Sequence, residues 1–434
     1  MSIANPAALE DKVRDEGPAK LMNRDFFLLW QSQFISQIGT QGTNIAVLFW
    51  VKHVTDSASL LGLIMIASSL PLIVLGPIAG TLADRYSRRS IIIVCDILDG
   101  IAILSLAALI FIAPNSTKII LPSLFVALVL VSVIASFFKP AIFAAIPDLV
   151  PKDKITPALS LYQGSTQLSI FIGQGISGVL FGLLGAPLLF LIDGLSYFYA
   201  AMTKSLVHIP QNIPTKGRDW RESFSQFKRD TMVGFRYVWN NRGMRSLFFA
   251  FASLNFFLWP IILLLPFYVE NFLKASTDWY GFLVAGFWAG ATAGTILAGV
   301  LKLSGRARGN SVVGLLLLFS MLSGALGFIS IPIVALITVS IAGVTVGLIN
   351  INIAAVLQQG TASEIRGRVF GLLGTLSTAL MPVGMGIAGV VADLTGQNIP
   401  LLYITCGVII TLLSLRMLLN KDFRALLASE APPQ

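Results

Sequence analysis

Long apolar segments alternate with short polar ones along the whole chain of 434 residues. An apolar run of roughly 20 residues, folded as a helix, crosses the ~30 Å hydrocarbon core of a bilayer, so each run predicts a membrane-spanning helix. Proline, glycine and charged clusters mark the ends of the runs. The pattern predicts twelve spans, near residues 26–51, 59–83, 91–113, 119–138, 157–184, 186–209, 246–269, 279–303, 311–329, 332–357, 368–391 and 400–419.

The composition supports this interpretation. Hydrophobic residues make up 55% of the chain, charged residues make up 12%, and the mean hydropathy is +0.81. Soluble domains carry roughly 25% charged residues. The sequence therefore predicts an all-α integral membrane protein that crosses the bilayer many times.

The positions of the basic residues account for the net charge of +9. If both termini lie on one side of the membrane, that side receives 27 of the 30 Lys and Arg residues, and only Lys52, Lys118 and Lys274 fall on the other. Cytoplasmic loops carry the excess of Lys and Arg, so both termini are predicted to be cytoplasmic. Because topology explains the charge, no nucleic-acid partner is expected.

The two halves of the chain repeat each other. Gly62 and Gly80 are eighteen residues apart, as are Gly281 and Gly299, and a short basic loop follows each pair. The run 173–178 in span five matches the run 384–389 in span eleven. Repeats of this kind predict two pseudo-symmetric six-helix bundles around a central cavity. The expected organisation is a cytoplasmic tail (1–25), a first bundle (26–209), a cytoplasmic linker (210–245), a second bundle (246–419) and a second cytoplasmic tail (420–434).

The linker between the halves contains apolar residues at helical spacing with cations between them. This pattern is typical of an amphipathic helix that lies on the inner leaflet, although a flexible linker with chance periodicity is the alternative. The apolar positions are Trp220, Phe224, Phe227, Thr231, Phe235 and Val238.

Uncharged polar residues form stripes inside otherwise apolar spans. Amide groups that face lipid lack hydrogen-bond partners, so these stripes are expected to point inward and line a substrate cavity. Packing contacts between helices are the alternative role. The candidates are Gln33, Gln37, Gln41 and Asn44 in span one, Gln163, Gln167 and Gln174 in span five, and Asn255, Trp259, Trp288, Asn350 and Asn352 in the second half.

Three acids lie inside predicted spans. An intramembrane carboxylate costs about 2.5–3.5 kcal/mol even on the lenient insertion scale and is a functional hypothesis by default. Asp96 and Asp99 are three residues apart, hence on one helical face, and Asp193 lies in span six. These acids could titrate during a transport cycle, or they could pair with Lys139 or a loop arginine.

Other chemistry has little support. The sequence contains no Cys/His cluster and no nucleophilic serine between a strand and a helix. We therefore expect no enzyme active site, no metal site and no cofactor.

The loop between spans two and three, Gly80-Thr81-Leu82-Ala83-Asp84-Arg85-Tyr86-Ser87-Arg88-Arg89, resembles the signature of the major facilitator superfamily. The phrases Phe138–Ala141 and Ile146–Pro151, the glycine-rich span five and the run Gly367–Gly371 are similar to the bacterial exporters of macrolides and enterobactin. The resemblance implies gating residues in the loop. Asp84 would latch the halves by docking on the start of span eleven, Arg85, Arg88 and Arg89 would hold it, and Gly80 would permit close helix approach. Alternatively, the arginines only enforce topology.

Three positions depart from the family pattern. Ser87 stands where the signature usually has Gly, Gln174 stands where span five usually has Pro, and Thr40 stands where many relatives carry an acid. Span four also lacks the buried Arg of many proton-coupled members. These departures leave Asp96, Asp99 and Asp193 as the candidates for proton coupling.

The predicted cavity is rich in amides and aromatic rings and poor in fixed charge. It suits an amphiphilic, weakly charged molecule, so the sequence predicts an alternating-access exporter of drug-like or siderophore-like compounds that exchanges with protons. Its expected location is the bacterial cytoplasmic membrane, with the lipid bilayer, a small-molecule substrate and protons as partners. The alternatives are a transporter of a small metabolite or lysophospholipid, and a non-transporting membrane receptor or scaffold.

Overall fold

The computed structural model describes residues 20–211, 220–301, 305–361 and 363–428, and the predicted tails therefore lie largely outside the described residues. The described residues form helices and no strand, which confirms the all-α fold. The helices are α1 (Arg24–Thr55), α2 (Ala58–Arg85), α3 (Arg88–Ile112), α4 (Thr117–Leu149), α5 (Ile155–Lys204), α6 (Trp220–Asn240), α7 (Arg242–Leu263), α8 (Asp278–Leu301), α9 (Gly305–Ala325), α10 (Pro332–Gly360), α11 (Ser363–Leu394), α12 (Ile399–Leu419) and α13 (Lys421–Ala428).

Ten of the described helices are long and apolar enough to cross a membrane, so the protein is an integral membrane protein. One of them, α5, is 50 residues long and contains a non-helical backbone position at Gly185, with φ of 72°, between predicted spans five and six. Glycine adopts this left-handed conformation without strain, so the chain can change direction there. The polar helix α1 is not among the ten, and the count of twelve spans stays a prediction.

Short polar residues begin several helices. The side chains of Ser57, Ser87 and Asn241 accept hydrogen bonds from backbone N–H groups three residues ahead, at 3.2, 3.3 and 3.1 Å. Each therefore satisfies a donor that the first helical turn leaves open. Ser87 has φ of −58°, so the turn before α3 needs no positive φ and accepts serine in place of the glycine of the family signature.

The two halves meet along two glycine seams. At the seam between α2 and α11, a Cβ on Gly62 would lie 2.8 Å from the Cα of Gly386. At the seam between α5 and α8, a Cβ on Gly281 would lie 2.5 Å from the carbonyl oxygen of Gly175. Gly62 and Gly281 are equivalent in the sequence repeat, as are Gly175 and Gly386. The repeat seen in the sequence thus places the same close backbone contact on both sides of the molecule.

Helix α6 packs against α2, α7 and α11. Val238 is buried in a core cluster with Met244 and Val369, whereas Phe235 is 45% exposed. The predicted apolar face is therefore split, with Val238 turned toward the protein and Phe235 away from it. The side chains of Trp220, Phe224 and Phe227 lie outside the described part of the chain.

Candidate functional site

A buried ion pair lies inside the first half of the molecule, between α1, α3 and α5. The Lys204 ammonium donates hydrogen bonds to Asp96 Oδ2 and to Gln33 Oε1, both at 2.8 Å. It also lies 4.8 Å from the centre of the Phe138 ring. The side chains of Lys204 and Asp96 are each only 2% exposed. Lys204 was not among the residues predicted from the sequence, because it stands near the end of a span, where a lysine ordinarily reaches water.

Two further carboxylates belong to the same region. Asp99 is 5% exposed and Asp193 is 1% exposed. Among the described residues, Asp99 Oδ1 has no hydrogen-bond partner, and Asp193 Oδ1 accepts a long hydrogen bond of 3.5 Å from the Thr40 hydroxyl. Gly39 makes room for Asp193 on α1, since a Cβ there would lie 2.7 Å from Oδ1. We call the set Gln33, Asp96, Asp99, Asp193 and Lys204 the charged cluster.

The charged cluster contains three carboxyl groups and one ammonium group. Lys204 compensates Asp96 directly, which leaves Asp99 and Asp193 without a cationic partner among the described residues. An enclosed carboxylate without a counter-ion is far more stable as the neutral acid. The arrangement can therefore hold protons away from bulk water.

The second half contains an apolar cavity between α7, α8, α9 and α10, with Gln174 of α5 at its edge. Cavities that take small molecules are mostly apolar, with a few polar groups that orient the ligand. None of the described lining residues carries a charge. The wall is made of aliphatic side chains and five aromatic ones, namely Trp259, Tyr280, Phe287, Trp288 and Phe319.

A chain of hydrogen bonds crosses from α1 to this cavity. Gln174 Nε2 donates to Gln41 Oε1 at 3.0 Å, and Trp288 Nε1 donates to Gln174 Oε1 at 3.3 Å. Gln33 of the charged cluster lies eight residues before Gln41 on α1, a rise of about 12 Å along the helix. Helix α1 therefore contacts both the charged cluster and the edge of the cavity.

The remaining cavity candidates are dispersed. Gln163, Gln167, Asn44 and Asn350 are exposed on their helices, and Gln37 is half-buried. Asn255 and Asn352 donate to backbone carbonyls of their own helices at 2.9 and 2.8 Å. Of the twelve predicted residues, the structure places Gln174, Trp259 and Trp288 in the wall of the apolar cavity and Gln33 in the charged cluster.

The halves are joined at the end of the molecule that the predicted topology places outside. Glu270 accepts hydrogen bonds from Lys52 and is 3.0 Å from His53 Nε2. Burial alone would raise the pKa of Glu270, but its hydrogen bonds with His53 and Lys52 outweigh burial and lower that pKa to about 2. Nearby, Phe49 stacks on Phe181 with ring centroids 5.2 Å apart and meets Tyr280, which lines the cavity, edge to face.

Asp393, at the outer end of α11, binds the first turn of α2. Its carboxylate accepts hydrogen bonds from Ser57 Oγ at 2.8 Å, from the Ala58 N–H at 3.0 Å and from the Ser59 N–H at 2.9 Å. Donor groups at a helix N-terminus favour a negative charge. Sequence reasoning missed this contact. The sequence features that could have indicated this contact were an acid at the end of one apolar span and a Ser-x-Ser run at the start of another.

At the opposite, inner end, the signature loop is tied to its own half. Arg88 donates to the Ala144 carbonyl at 3.0 Å and forms an ion pair with Asp148, and Arg89 donates to the Ser205 carbonyl. Arg85 is exposed at the end of α2. Gly80 and Asp84 lie in α2, but their surroundings are outside the described part of the chain, so the contact between Asp84 and α11 stays a prediction.

Two known proteins with similar sequences are named as efflux proteins. Macrolide efflux protein A of Streptococcus pyogenes is 24% identical over 378 residues, which cover 86% of this chain and 90% of that protein. The multidrug efflux pump Tap of Mycobacterium bovis is 22% identical over 395 residues, which cover 89% of this chain and 91% of the pump.

Solved transporters share the fold. The nucleoside transporter NupG superposes with a TM-score of 0.72 at 12% identity, covering 94% of this chain and all of the other. A bacterial homologue of the iron transporter ferroportin in an inward-facing state superposes with a TM-score of 0.69 at 13% identity, covering 91% of this chain and 98% of the other. The family model of the Major Facilitator Superfamily matches residues 29–385. The chain is therefore a multi-pass membrane transporter, and it belongs to the Major Facilitator Superfamily.

Proposed function

We propose that this transporter exports amphiphilic, drug-like or siderophore-like small molecules by alternating access and exchanges them for protons. The observation that carries the proposal is the apolar, aromatic cavity with its single amide and indole edge at Gln174 and Trp288. Such a wall binds large apolar groups, and the edge orients one polar group of the substrate. The names of the efflux relatives support the direction of transport.

The ends of the two halves that the predicted topology places outside are joined by hydrogen bonds, and in the proposed cycle this arrangement is the state closed toward the outside. In the proposed cycle, the bundles 26–209 and 246–419 rock about the seams between α2 and α11 and between α5 and α8. The tails and the linker lie in the cytoplasm. Asp84 would hold the inner ends together in the opposite state, in the way that Asp393 holds the outer ends here.

Proton coupling would use the charged cluster. Asp96 stays paired with Lys204, whereas Asp99 and Asp193 lack a cation and exchange protons when the cycle opens the cluster to one side or the other. Helix α1 would transmit the change, because Thr40 contacts Asp193 and Gln41 contacts Gln174. A shift of α1 would then alter both the proton affinity and the shape of the cavity edge.

Proteoliposomes provide the test. Wild-type protein should give substrate-stimulated proton flux with amphiphilic compounds of a chemical panel, and Asp99→Asn should lose pH-driven transport while it retains exchange of substrate for substrate. Asp153→Asn, which changes an exposed loop carboxylate, is the matched control and should behave as wild type.

The alternatives predict different outcomes. Selective flux of a small charged metabolite or of a lysophospholipid would assign the substrate to that class instead of the amphiphilic class proposed here. Absence of flux for every compound would favour a receptor or scaffold. Normal pH-driven transport by both Asp99→Asn and Asp193→Asn would overturn the coupling route.

A further inference from the structure

The exposed face of α6 combines aromatic and basic side chains. Met232, Phe235 and Trp239 are 45%, 45% and 48% exposed, and their spacing of three and four residues places them on one face of the helix. Lys228 and Arg236 lie on the same face and are also exposed. A face with this composition is suited to the boundary between lipid headgroups and acyl chains.

The opposite face of α6 is already occupied. Val238 is 4% exposed in the core cluster of the second half, and a Cβ on Gly234 would lie 3.0 Å from the Arg368 carbonyl oxygen near the start of α11. Helix α6 also contacts α2. It therefore lies across α2 and α11, which belong to different halves, while Met232, Phe235 and Trp239 on its aromatic face remain nearly half exposed.

The aromatic face continues onto a membrane-spanning helix. The Phe235 and Trp239 rings stack with centroids 5.4 Å apart, and Trp239 is 6.3 Å from Phe249 of α7, which is 57% exposed. The Arg245 guanidinium lies 5.6 Å from the centre of the Trp239 ring. This continuity with the lipid-facing surface of α7 places the face of α6 at the level of the headgroups.

The charge of the segment is complementary to an anionic leaflet. Residues 220–240 contain four cations and two acids, and two arginines follow at Arg242 and Arg245. Polybasic segments beside a membrane are attracted to anionic headgroups over a distance of about one Debye length. Tryptophan is additionally favoured at this interface.

We propose that the exposed face of α6 binds anionic phospholipid of the inner leaflet, and that this contact holds α6 across the inner ends of α2 and α11. The headgroup phosphates contact Lys228, Arg229 and Arg236, while Phe235 and Trp239 insert among the upper acyl chains. Because α6 touches both halves, the lipid contact sets how readily the inner seam between α2 and α11 opens.

The test measures which lipid contacts Trp239. The protein is reconstituted into bilayers of phosphatidylcholine with an admixture of phosphatidylglycerol, and either lipid carries brominated chains that quench tryptophan fluorescence. Subtracting the signal of Trp239→Phe isolates the contribution of Trp239. We expect brominated phosphatidylglycerol to quench this contribution more strongly than the same amount of brominated phosphatidylcholine does.

In the variant Lys228→Gln/Arg229→Gln/Arg236→Gln, the two brominated lipids should quench Trp239 fluorescence equally. The matched control, Lys152→Gln/Lys154→Gln/Arg424→Gln, removes three exposed cations elsewhere and should keep the preference. Raising the salt concentration around the wild-type protein should also reduce the preference, which tests the idea without any variant.

Equal quenching by the two lipids in wild type overturns the proposal, as does a preference that survives in the α6 variant and at high salt. Shielding of Trp239 from both lipids, together with a dimer in mass photometry, would assign the face to a second copy of the chain and would also overturn it.

Discussion

The first half of the molecule buries four charged side chains between α1, α3 and α5, whereas the cavity of the second half is lined by aromatic and aliphatic side chains, with Gln174 and Ser323 as its polar members. The two regions lie in halves whose glycine seams are equivalent, yet the charged cluster is polar and the cavity is apolar. A charge close to an apolar cavity would be poorly solvated, and it would also select for charged ligands. Separating the two regions avoids both effects and leaves helix α1 as the element through which they can communicate.

The same asymmetry is present where the halves meet. At the seam between α2 and α11, Asp393 of one half binds the helix start of the other. At the equivalent seam between α5 and α8, Gly182 faces the start of α8, and the nearby acid, Asp278, belongs to α8 itself. One seam therefore has a carboxylate of one half bound at a helix start of the other half, whereas the other seam has close backbone packing and the hydrogen bond from Trp288 to Gln174.

The largest effect is expected on the free energy of unfolding when the ion pair of the charged cluster is broken. Asp96→Asn leaves the Lys204 ammonium enclosed without a counter-ion and should lower the free energy of unfolding by about 3–5 kcal/mol, measured by unfolding in detergent. Asp96→Leu/Lys204→Met replaces the pair with apolar groups and should recover most of that loss. Asp153→Asn breaks an exposed pair with Lys154 and should cost less than about 1 kcal/mol. Equal losses in the buried and exposed variants would show that the charged cluster does not depend on its ion pair.

The next effect tests whether substrate binding belongs to the second half. Trp288→Ala removes an aromatic wall and the hydrogen bond to Gln174, and it should weaken substrate binding by about 2 kcal/mol, roughly thirtyfold in Kd. Titration calorimetry in detergent measures this change. Trp288→Phe keeps a ring and should retain part of the affinity. If Asp99→Asn rather than Trp288→Ala reduced the affinity, the assignment of the two regions would be reversed.

A smaller effect tests the asymmetry of the seams. Asp393→Asn removes the charge at the start of α2 and should cost about 1 kcal/mol of outer closure, which is roughly a fivefold shift toward the outward-open population. Spin-label distances across the outer end measure that population. Asp278→Asn, at the equivalent seam, should leave the distances unchanged. An equal response of both variants would show that the two seams close in the same way.

The smallest effect concerns pH at the outer end. Because the pKa of Glu270 is lowered to about 2, its ion pair contributes fully above the ordinary carboxyl value of 4.5 and is lost only as the pH falls through about 2. The variant His53→Gln removes the imidazole that lies 3.0 Å from Glu270. In this variant, spin-label distances across the outer end should be constant between about pH 5 and 8, where the Glu270 carboxyl stays ionised. Glu270→Gln should lengthen these distances at every pH. A distance change in His53→Gln within that range would assign part of the pH response to another group at the outer end.

Local patterns were sufficient for much of the architecture. Apolar runs of helical length can only be spanning helices in a chain with so few charges, and the repeated glycines indicated two similar halves. The signature loop was recognised from its residues, but the role of Ser87 was not, because its φ angle depends on the turn that surrounds it. The spacing of Gln33, Gln37, Gln41 and Asn44 predicts one face of α1. In the structure, Gln33 contacts Lys204 and Gln41 contacts Gln174, because the neighbours of α1 change along its length.

The sequence by itself determined the membrane environment, the helical class and the pseudo-symmetric plan, since hydrophobic period and segment length act within single helices. Only the tertiary structure decided which acids have partners. Lys204 reaches Asp96 across 108 residues of chain, Asp393 reaches Ala58 across 335, and Trp288 reaches Gln174 across 114. Hydrogen bonds and ion pairs act over a few ångströms in space. Helix packing, rather than separation along the chain, therefore selected these partners.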